Sequence, residues 1–122
     1  MASTSSPSND ATTIRAGAPL MTLINVFTVE PARQQELVDL LVKATEERMR
    51  HLPGFISANI HRGADGTHVV NYAQWRTRAD FEAISRDHEA GEHMKKAAAM
   101  AQFTPIVCEV ASVHHFPDDS RT

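Results

Sequence analysis

Segments with two different hydrophobic periods alternate along the chain. A period of two, or enrichment in β-branched and aromatic residues, is typical of strands. Four segments have this pattern: Leu20–Val29, Phe55–His61, Thr67–Trp75 and Ile106–His115. Two helical regions are predicted between them, because apolar residues recur there at helical spacing. The elements therefore follow the order strand, helix, strand, strand, helix, strand.

Prolines and capping residues mark the ends of the predicted helices. The first helix begins at Pro31, since proline is favoured at the first helical position, and it ends before Pro53. The second region begins at Thr77, a capping residue, and a further helical segment begins at Asp87. Pro105 is expected to end that segment.

The order of elements is that of the split βαβ motif. We therefore predict an α+β fold of the ferredoxin-like βαββαβ type, with an antiparallel sheet and both helices on one face. The other face would carry apolar side chains, including Ile56, Ile60, Val70 and Tyr72. Such a face is too apolar to remain in water, so we expect a second subunit to cover it, sheet against sheet. The predicted assembly is a homodimer.

The two ends of the chain lack hydrophobic periodicity. Residues 1–19 are rich in Ser, Thr, Ala and Asn, and they have neither the basic start nor the apolar block of a secretion signal. We therefore predict a flexible N-terminal tail at 1–19, one folded domain at 20–116 and a polar C-terminal tail at 117–122.

Composition argues against two classes of partner. The chain has 122 residues, of which 42% are hydrophobic, and a formal net charge of -3, as in an ordinary globular domain. Lys and Arg form no basic stripe, which argues against nucleic acid, and no apolar run is long enough to span a membrane. The single cysteine, Cys108, lies in an apolar run, which fits a reducing, cytoplasmic compartment.

The third predicted strand carries the candidate chemistry. Its residues alternate, so that Val69, Asn71, Ala73 and Trp75 share one face. An amide and an indole N–H are thus spaced along a row that is otherwise small and apolar, which suits the floor of a binding cavity. Each group also has a purely structural explanation: core packing for Trp75, and for Asn71 an amide pair with Asn59 across the hairpin.

The register of the hairpin decides which other residues share that face. If residues 64–66 form a three-residue loop, Asn59 pairs with Asn71 and His61 lies on the same face. With a two-residue loop, His61 pairs with Val70 and moves to the opposite face. We expect the first register, because Asp and Gly suit the second and third positions of a three-residue loop.

Three segments carry a resemblance to a known family. They read PGFISANIHRGADGT at 53–67, VVNYAQW at 69–75 and RTRADFEAI at 76–84. From Leu20 to about His115 the chain resembles the antibiotic biosynthesis monooxygenase family of small, dimeric α/β barrel proteins. Within that family it is similar to the cofactor-free anthrone and naphthacenone oxygenases of aromatic polyketide pathways, of the tetracenomycin and actinorhodin type.

The resemblance implies an enzyme that uses molecular oxygen to convert a polycyclic phenol or anthrone to a quinone, without metal or flavin. The catalytic residues that it implies are Asn71, Trp75 and His61. If a cavity lies between sheet and helices, the residues expected to contact the aromatic substrate are Phe27, Asn59, Phe81 and Met94. Two positions depart from the family pattern, because Phe81 replaces a cavity tyrosine and Met94-Lys95-Lys96 stands near a helical arginine.

The residue types fit such a reaction. The sequence has no Gly-rich dinucleotide loop, cysteine cluster or phosphate-binding loop, so we expect no cofactor and no metal, and the electrons must come from the substrate. An ionised phenol or anthrone can give an electron to molecular oxygen. Asn71 and Trp75 would stabilise the developing oxyanion, and His61 would accept the proton.

Two other functions stay open on the sequence alone. Haem-degrading oxygenases of the same superfamily need an Asn on the first strand, a Trp, and a His on the second helix, and Asn25, Trp75 and His88 or His93 fit that set. A non-catalytic barrel that binds an aromatic ligand, or acts as a cyclase-like protein, is the third possibility. The two histidines do not indicate zinc, because their spacing places them about 140° apart around a helix.

Overall fold

Four strands form one antiparallel sheet in the computed structural model, which describes residues 10–117. The strands are β1 (Met21–Val29), β2 (Phe55–Arg62), β3 (His68–Trp75) and β4 (Ala101–Cys108). Their order across the sheet is β2-β3-β1-β4, and all three neighbouring pairs are antiparallel. The parts of the predicted tails at 1–9 and 118–122 lie outside the described residues.

Three helices pack on one face of this sheet. They are α1 (Gln34–Glu47), α2 (Arg78–Glu82) and α3 (His88–Met100). Two of them begin where the sequence predicts: the Thr77 hydroxyl accepts a hydrogen bond from the Asp80 N–H at 3.1 Å, and the Asp87 carboxylate accepts one from the Ala90 N–H at 2.9 Å. The predicted βαββαβ order is confirmed. None of the described helices has the length and apolar character that crossing a bilayer requires.

The core lies between the sheet and the helices. Alternate residues of β1 point toward the helices, and Leu23 and Phe27 are 5% and 1% exposed. Leu37 of α1 is completely buried against this face, and so is Ala97 of α3, whose small side chain lets the helix approach closely. Burial of one leucine side chain contributes about 2 kcal/mol, so this layer fixes the helices on the sheet.

The last strand begins earlier than the sequence pattern predicts. The prediction places it at Ile106–His115, but α3 ends at Met100 and β4 occupies Ala101–Cys108. Pro105, expected to end the helix, lies inside β4 opposite Asn25. β4 is an edge strand, where a proline is tolerated because one side of the strand has no partner. The boundary prediction is therefore wrong.

The β2–β3 hairpin also differs from the expected register. His61 lies opposite Val70, and Asn59 lies opposite Tyr72 rather than opposite Asn71. Paired residues share a face of the sheet, so both side chains point away from the helices. The expectation that Asn59 and His61 share a face with Asn71 is wrong.

The physical reason for this register is the chemistry of the loop, which has four residues, 64–67. The Gly63 N–H donates to the His68 carbonyl oxygen at 2.8 Å and closes the ladder. The Asp65 carboxylate accepts hydrogen bonds from the backbone N–H groups of Thr67 at 2.8 Å and His68 at 3.2 Å. The aspartate thus satisfies two loop amides and stabilises the longer turn.

A bulge near the start of β2 returns one aromatic residue to the helix side. Phe55 pairs with Trp75, whereas Ser57 pairs with Gln74, so that Ile56 is the additional residue. A bulge of this kind shifts the alternation of side chains by one. Phe55 therefore faces the helices, and Ile56 is 47% exposed.

The segment before β1 crosses the face of the sheet opposite the helices. The Thr12 hydroxyl donates to Oδ1 of Asn59 at 2.5 Å, and Nε2 of Gln74 donates to the Thr13 carbonyl oxygen at 2.8 Å. The carboxamide of Asn59 also donates to the Tyr72 carbonyl oxygen at 2.9 Å. Residues 10–19, part of the predicted tail, therefore contact the sheet.

A buried glutamine ties α1 to the hairpin. Nε2 of Gln34 donates to the carbonyl oxygens of Gly63 and His68, both at 2.9 Å, and the residue is 9% exposed. These two residues close the hairpin ladder, so one side chain fixes the position of the loop relative to the helix layer.

Replacement of Gln34 by alanine should lower the free energy of unfolding by about 1–2 kcal/mol, because two partly buried carbonyl oxygens each lose a donor. Urea denaturation followed by circular dichroism measures this loss. Gln35→Ala is the matched control, since that exposed side chain binds only Asp39, at 2.9 Å, and its loss should cost less than about 0.5 kcal/mol. Equal effects of the two substitutions would contradict the role given to Gln34.

Candidate functional site

A cavity of about 650 Å³ lies between the sheet and the helices. Its lining is mostly apolar and comes from the strands β1, β2 and β3, the helices α1, α2 and α3, and the turns after α1 and α2. The apolar lining residues are Leu23, Phe27, Leu41, Ala44, Met49, Phe55, Ala58, Ala73, Trp75, Phe81, Ile84 and Met94. Small-molecule sites commonly occupy about 300–1,000 Å³. The volume and the lining therefore suit a fused aromatic ring system.

Two carboxamides face the cavity from the centre of the sheet. Asn25 of β1 and Asn71 of β3 lie directly opposite each other in the antiparallel ladder, and both line the cavity. Their Oδ1 atoms are buried and accept no hydrogen bond from residues 10–117. An unpaired buried acceptor costs about 1–3 kcal/mol. The floor thus carries two amide groups whose N–H donors a ligand can pair.

Trp75 forms one end of this floor and is also part of the core. Its indole is 2% exposed and makes edge contacts with the rings of Phe55, at a centroid distance of 5.4 Å, and Phe81, at 6.3 Å. Such aromatic contacts fix the plane of the indole. Trp75 therefore lines the cavity in an orientation set by its neighbours.

The other predicted site residues divide into two groups. Phe27, Phe81 and Met94 line the cavity, whereas Asn59 and His61 lie on the opposite face of the sheet. His61 is exposed, with Nδ1 at 3.0 Å from the Asn59 carbonyl oxygen. The structure therefore does not bring His61 together with Asn71, and the expected position of a histidine base in the cavity is wrong.

The turn Ala83–Arg86 forms the wall of the cavity opposite the sheet, and an ion pair fixes its far end. Nε of Arg48, after α1, donates to Oδ2 of Asp87 at 2.9 Å, and Nη2 donates to Oδ1 at 2.5 Å. Asp87 also caps α3 through the Ala90 N–H. The Arg48 guanidinium first, and then this backbone hydrogen bond, lower the pKa of Asp87 to about 2.

Possible metal ligands lie outside the cavity. Among the described residues that line it there is no histidine or cysteine. Glu47, Glu89 and His93, on α1 and α3, have ligand atoms within 4.8 Å of one another. Both carboxylates are exposed. Exposed acidic groups commonly lie together without a metal, so we assign no metal to this cluster.

Comparison with known proteins identifies the family. The sequence profile described as antibiotic biosynthesis monooxygenase matches residues 20–100, which is more than half of the chain. The chain belongs to the antibiotic biosynthesis monooxygenase family. It is 48% identical over 98 residues to tetracenomycin-F1 monooxygenase of Streptomyces glaucescens, and the match covers 80% of this chain and 88% of that protein. The predictions of this family and of an oxidoreductase are confirmed.

Solved structures of similar proteins have the same fold. A monooxygenase from the gene ActVA-Orf6 of Streptomyces coelicolor, in complex with nanaomycin D, has a TM-score of 0.71 and 28% identity, with 81% of this chain and 93% of that chain covered. SnoaB, a cofactor-independent oxygenase from Streptomyces nogalater, has a TM-score of 0.66 and 22% identity, with 83% and 100% covered. At that lower identity the likeness concerns the fold alone. The predicted ferredoxin-like fold is confirmed.

The sequence connects Asn25 only with the haem-degrading alternative, whereas the structure places it on the cavity floor opposite Asn71. It stands between Leu23 and Phe27 on the buried face of β1. The signal was the same as for Asn71, a carboxamide in a row of apolar residues. The cavity-lining Gly91 and Arg86 gave no comparable signal, because a helical glycine and a surface arginine have many ordinary explanations.

Acidification should destabilise the protein as the pH falls from about 4 toward 2. A carboxylate whose pKa is lower in the folded than in the unfolded state stabilises the fold above its unfolded pKa, and that stability is lost as the pH falls through the folded value. For Asp87 these values are 3.8 and about 2. Urea denaturation at a series of pH values measures how steeply the free energy of unfolding falls as the pH is lowered.

Two variants separate the contribution of Asp87 from that of other carboxylates. Asp87→Asn should make the acid-dependent slope smaller, because the titrating group is gone. Arg48→Gln keeps the carboxylate but removes the main cause of its low pKa, so it should reduce the slope as well. If both variants keep the slope of the unaltered chain, the ion pair is not its source.

Proposed function

We propose that this chain is a cofactor-independent monooxygenase that uses molecular oxygen to oxidise a polycyclic phenol or anthrone to a quinone in aromatic polyketide biosynthesis. The observation that carries the proposal is the apolar cavity with Asn25 and Asn71 on its floor. The 48% identity to tetracenomycin-F1 monooxygenase supports it.

The reaction balances without an added electron donor. The substrate loses a proton, and its anion gives one electron to molecular oxygen. The resulting radical and superoxide combine to a peroxide anion at the reacting carbon, and the proton taken from the substrate returns to it to give a hydroperoxide. Loss of water from this hydroperoxide leaves the quinone carbonyl, so that a CH₂ group and O₂ become C=O and H₂O. The substrate supplies all the electrons, which is why the cavity needs no redox group of its own.

The two asparagines act on the charge that develops during this sequence. Their amide N–H groups can donate to the oxygen of the substrate anion. Because the cavity lining is mostly apolar, such hydrogen bonds are stronger than they would be in water. Trp75 and Phe81 hold the rings of the substrate in place over this floor.

The proton acceptor is proposed to lie on the wall of the cavity. Glu82 is the carboxylate on the wall, and it is exposed. With His61 on the other face of the sheet, Glu82 and the solvent beside it are the acceptors within reach. Phe81 stands where the family resemblance places a tyrosine, and its ring cannot carry a proton.

The haem-degrading alternative fits the structure less well. Asn25 and Trp75 line the cavity, but His88 and His93 are not among the described residues that do so. A haem in this cavity would therefore lack its expected imidazole ligand. Titration with haemin tests the point, because a shift of the Soret band would favour the alternative.

Family membership argues against a non-catalytic barrel, which would bind an aromatic ligand without oxygen uptake.

We propose a homodimer in which two sheets pack face to face. The face opposite the helices carries Ile56 and Ile106, which are 47% and 46% exposed, and burial of such residues favours association. Sedimentation at several concentrations tests the assembly.

A cytoplasmic location is part of the same proposal, and the single cysteine, Cys108, fits it.

The decisive experiment measures oxygen uptake and quinone absorbance together. Protein treated with a chelator, and shown by its absorption spectrum to contain no flavin or haem, is mixed with an anthrone. We expect one O₂ to be consumed for each quinone formed, faster than in the absence of protein. A rate no higher than the spontaneous one would rule out the proposed function.

Asn71→Ala should lower kcat by a factor of about 100–1,000, which corresponds to the loss of one oxyanion donor worth about 3–4 kcal/mol. Asn59→Ala is the matched control, because that amide lies on the opposite face of the sheet and should leave kcat unchanged. The free energy of unfolding should fall little in Asn71→Ala, since its Oδ1 atom accepts no bond from residues 10–117. A large loss of stability with unchanged kcat would make Asn71 structural.

Gly91→Leu should exclude large substrates from the cavity. Gly91 lines the cavity from α3, and a Cβ atom at this position has no heavy atom within 4 Å, so a longer side chain would extend into open space. We expect KM for a three-ring anthrone to rise at least about tenfold while the free energy of unfolding does not fall, because glycine is a poor helix former. Gly91→Ala is the control of small volume, and an equal KM in both variants would contradict the assignment.

A further inference from the structure

One cation on the cavity wall has no counter-ion among residues 10–117. Of the described residues that line the cavity, the ionisable ones are Glu82 and Arg86. The Glu82 carboxylate accepts a hydrogen bond from Nε of Arg78 at 3.0 Å. Arg86 takes part in none of the ion pairs formed within that range. The positive charge at the cavity is therefore available to a ligand.

The guanidinium and the two asparagines lie on different elements around the cavity. Arg86 ends the turn Ala83–Arg86, whereas Asn25 and Asn71 lie on the sheet. Apolar side chains such as Ile84 line the same cavity. A planar ring system whose oxidised ring lies over the asparagines would extend its far end toward the guanidinium.

The turn that carries Arg86 is held in place by the next residue. Asp87 caps α3 and is bound by Arg48, so the chain at this point is tied to two helices. The backbone of Arg86 is thus fixed, while its exposed side chain can adjust to a ligand. Such an arrangement suits recognition of a substituent at the cavity mouth.

We propose that Arg86 binds an anionic oxygen substituent, a carboxylate or an ionised phenol, on the ring of the substrate that is farthest from the oxidised ring. This inference deepens the proposed function and rests on it. A guanidinium pairs with a carboxylate through two parallel N–H donors, which adds orientation to charge attraction. Arg86 thereby selects anionic over neutral polycycles and sets which ring lies over the asparagines.

The expected contribution of Arg86 is moderate. The side chain is exposed, so solvent screens the interaction and reduces it below the value of a buried pair. We expect a preference of about fivefold for an anionic ligand over a neutral ligand of the same shape, and a smaller preference at high ionic strength.

A binding experiment tests this without turnover. The two probes are anthraquinone-2-carboxylate and the neutral anthraquinone-2-carboxamide, and the signal is quenching of Trp75, the single tryptophan, which lines the cavity. Arg86→Ala should weaken binding of the carboxylate about fivefold and change that of the carboxamide less than twofold. Arg86→Lys should give an intermediate value, because it keeps the charge but not the paired donors.

Arg62→Ala is the matched control, since it removes the same charge from the exposed end of β2, away from the cavity lining, and should change neither affinity. The carboxamide reports whether the cavity is folded in each variant. Equal affinities of the two probes, binding of neither, or an equal loss for both in Arg86→Ala would overturn the inference. Selective binding by a chain that consumes no oxygen would instead overturn the proposed function and leave Arg86 as an anion-binding residue.

Discussion

The antiparallel pairing of β1 with β3 is the constraint on which the site depends. It places Asn25 directly opposite Asn71 at the centre of the sheet, on the side covered by helices. Strand alternation then surrounds this pair with Leu23, Phe27 and Ala73, none of which offers a hydrogen bond. Two amides in an apolar layer are costly to stability, and the fold retains them where a cavity of about 650 Å³ allows a ligand to pair with them.

The arrangement explains how so small a domain can support oxygen chemistry. A reaction in which the substrate supplies the electrons asks the protein for positioning and charge stabilisation, not for a redox group. The two central strands carry the asparagines, whereas α2 and the turn Ala83–Arg86 supply the more exposed wall. The groups proposed to stabilise charge and the groups proposed to contact the rest of the substrate thus lie on different layers of one domain.

Periodicity was enough to predict the order of elements and the face shared by Asn71 and Trp75. It failed where a turn decides the geometry, since the Asp65 carboxylate stabilises a four-residue loop, and a shift by one residue moved His61 to the other face. It failed again at Pro105, because a proline in an edge strand resembles a helix terminator in sequence. The cavity itself could not be predicted, since its volume depends on how closely three helices approach the sheet.

The segment that crosses the open face of the sheet has a consequence for assembly. Hydrogen bonds from Thr12 to Asn59 and from Gln74 to Thr13 keep this peptide flat against the strands. Two copies that met through this face would each contribute a layer of main chain and hydroxyl groups between their strands. The distance between the paired sheets would then depend on the thickness of that inserted peptide, so residues 10–20 would set how closely the two subunits approach.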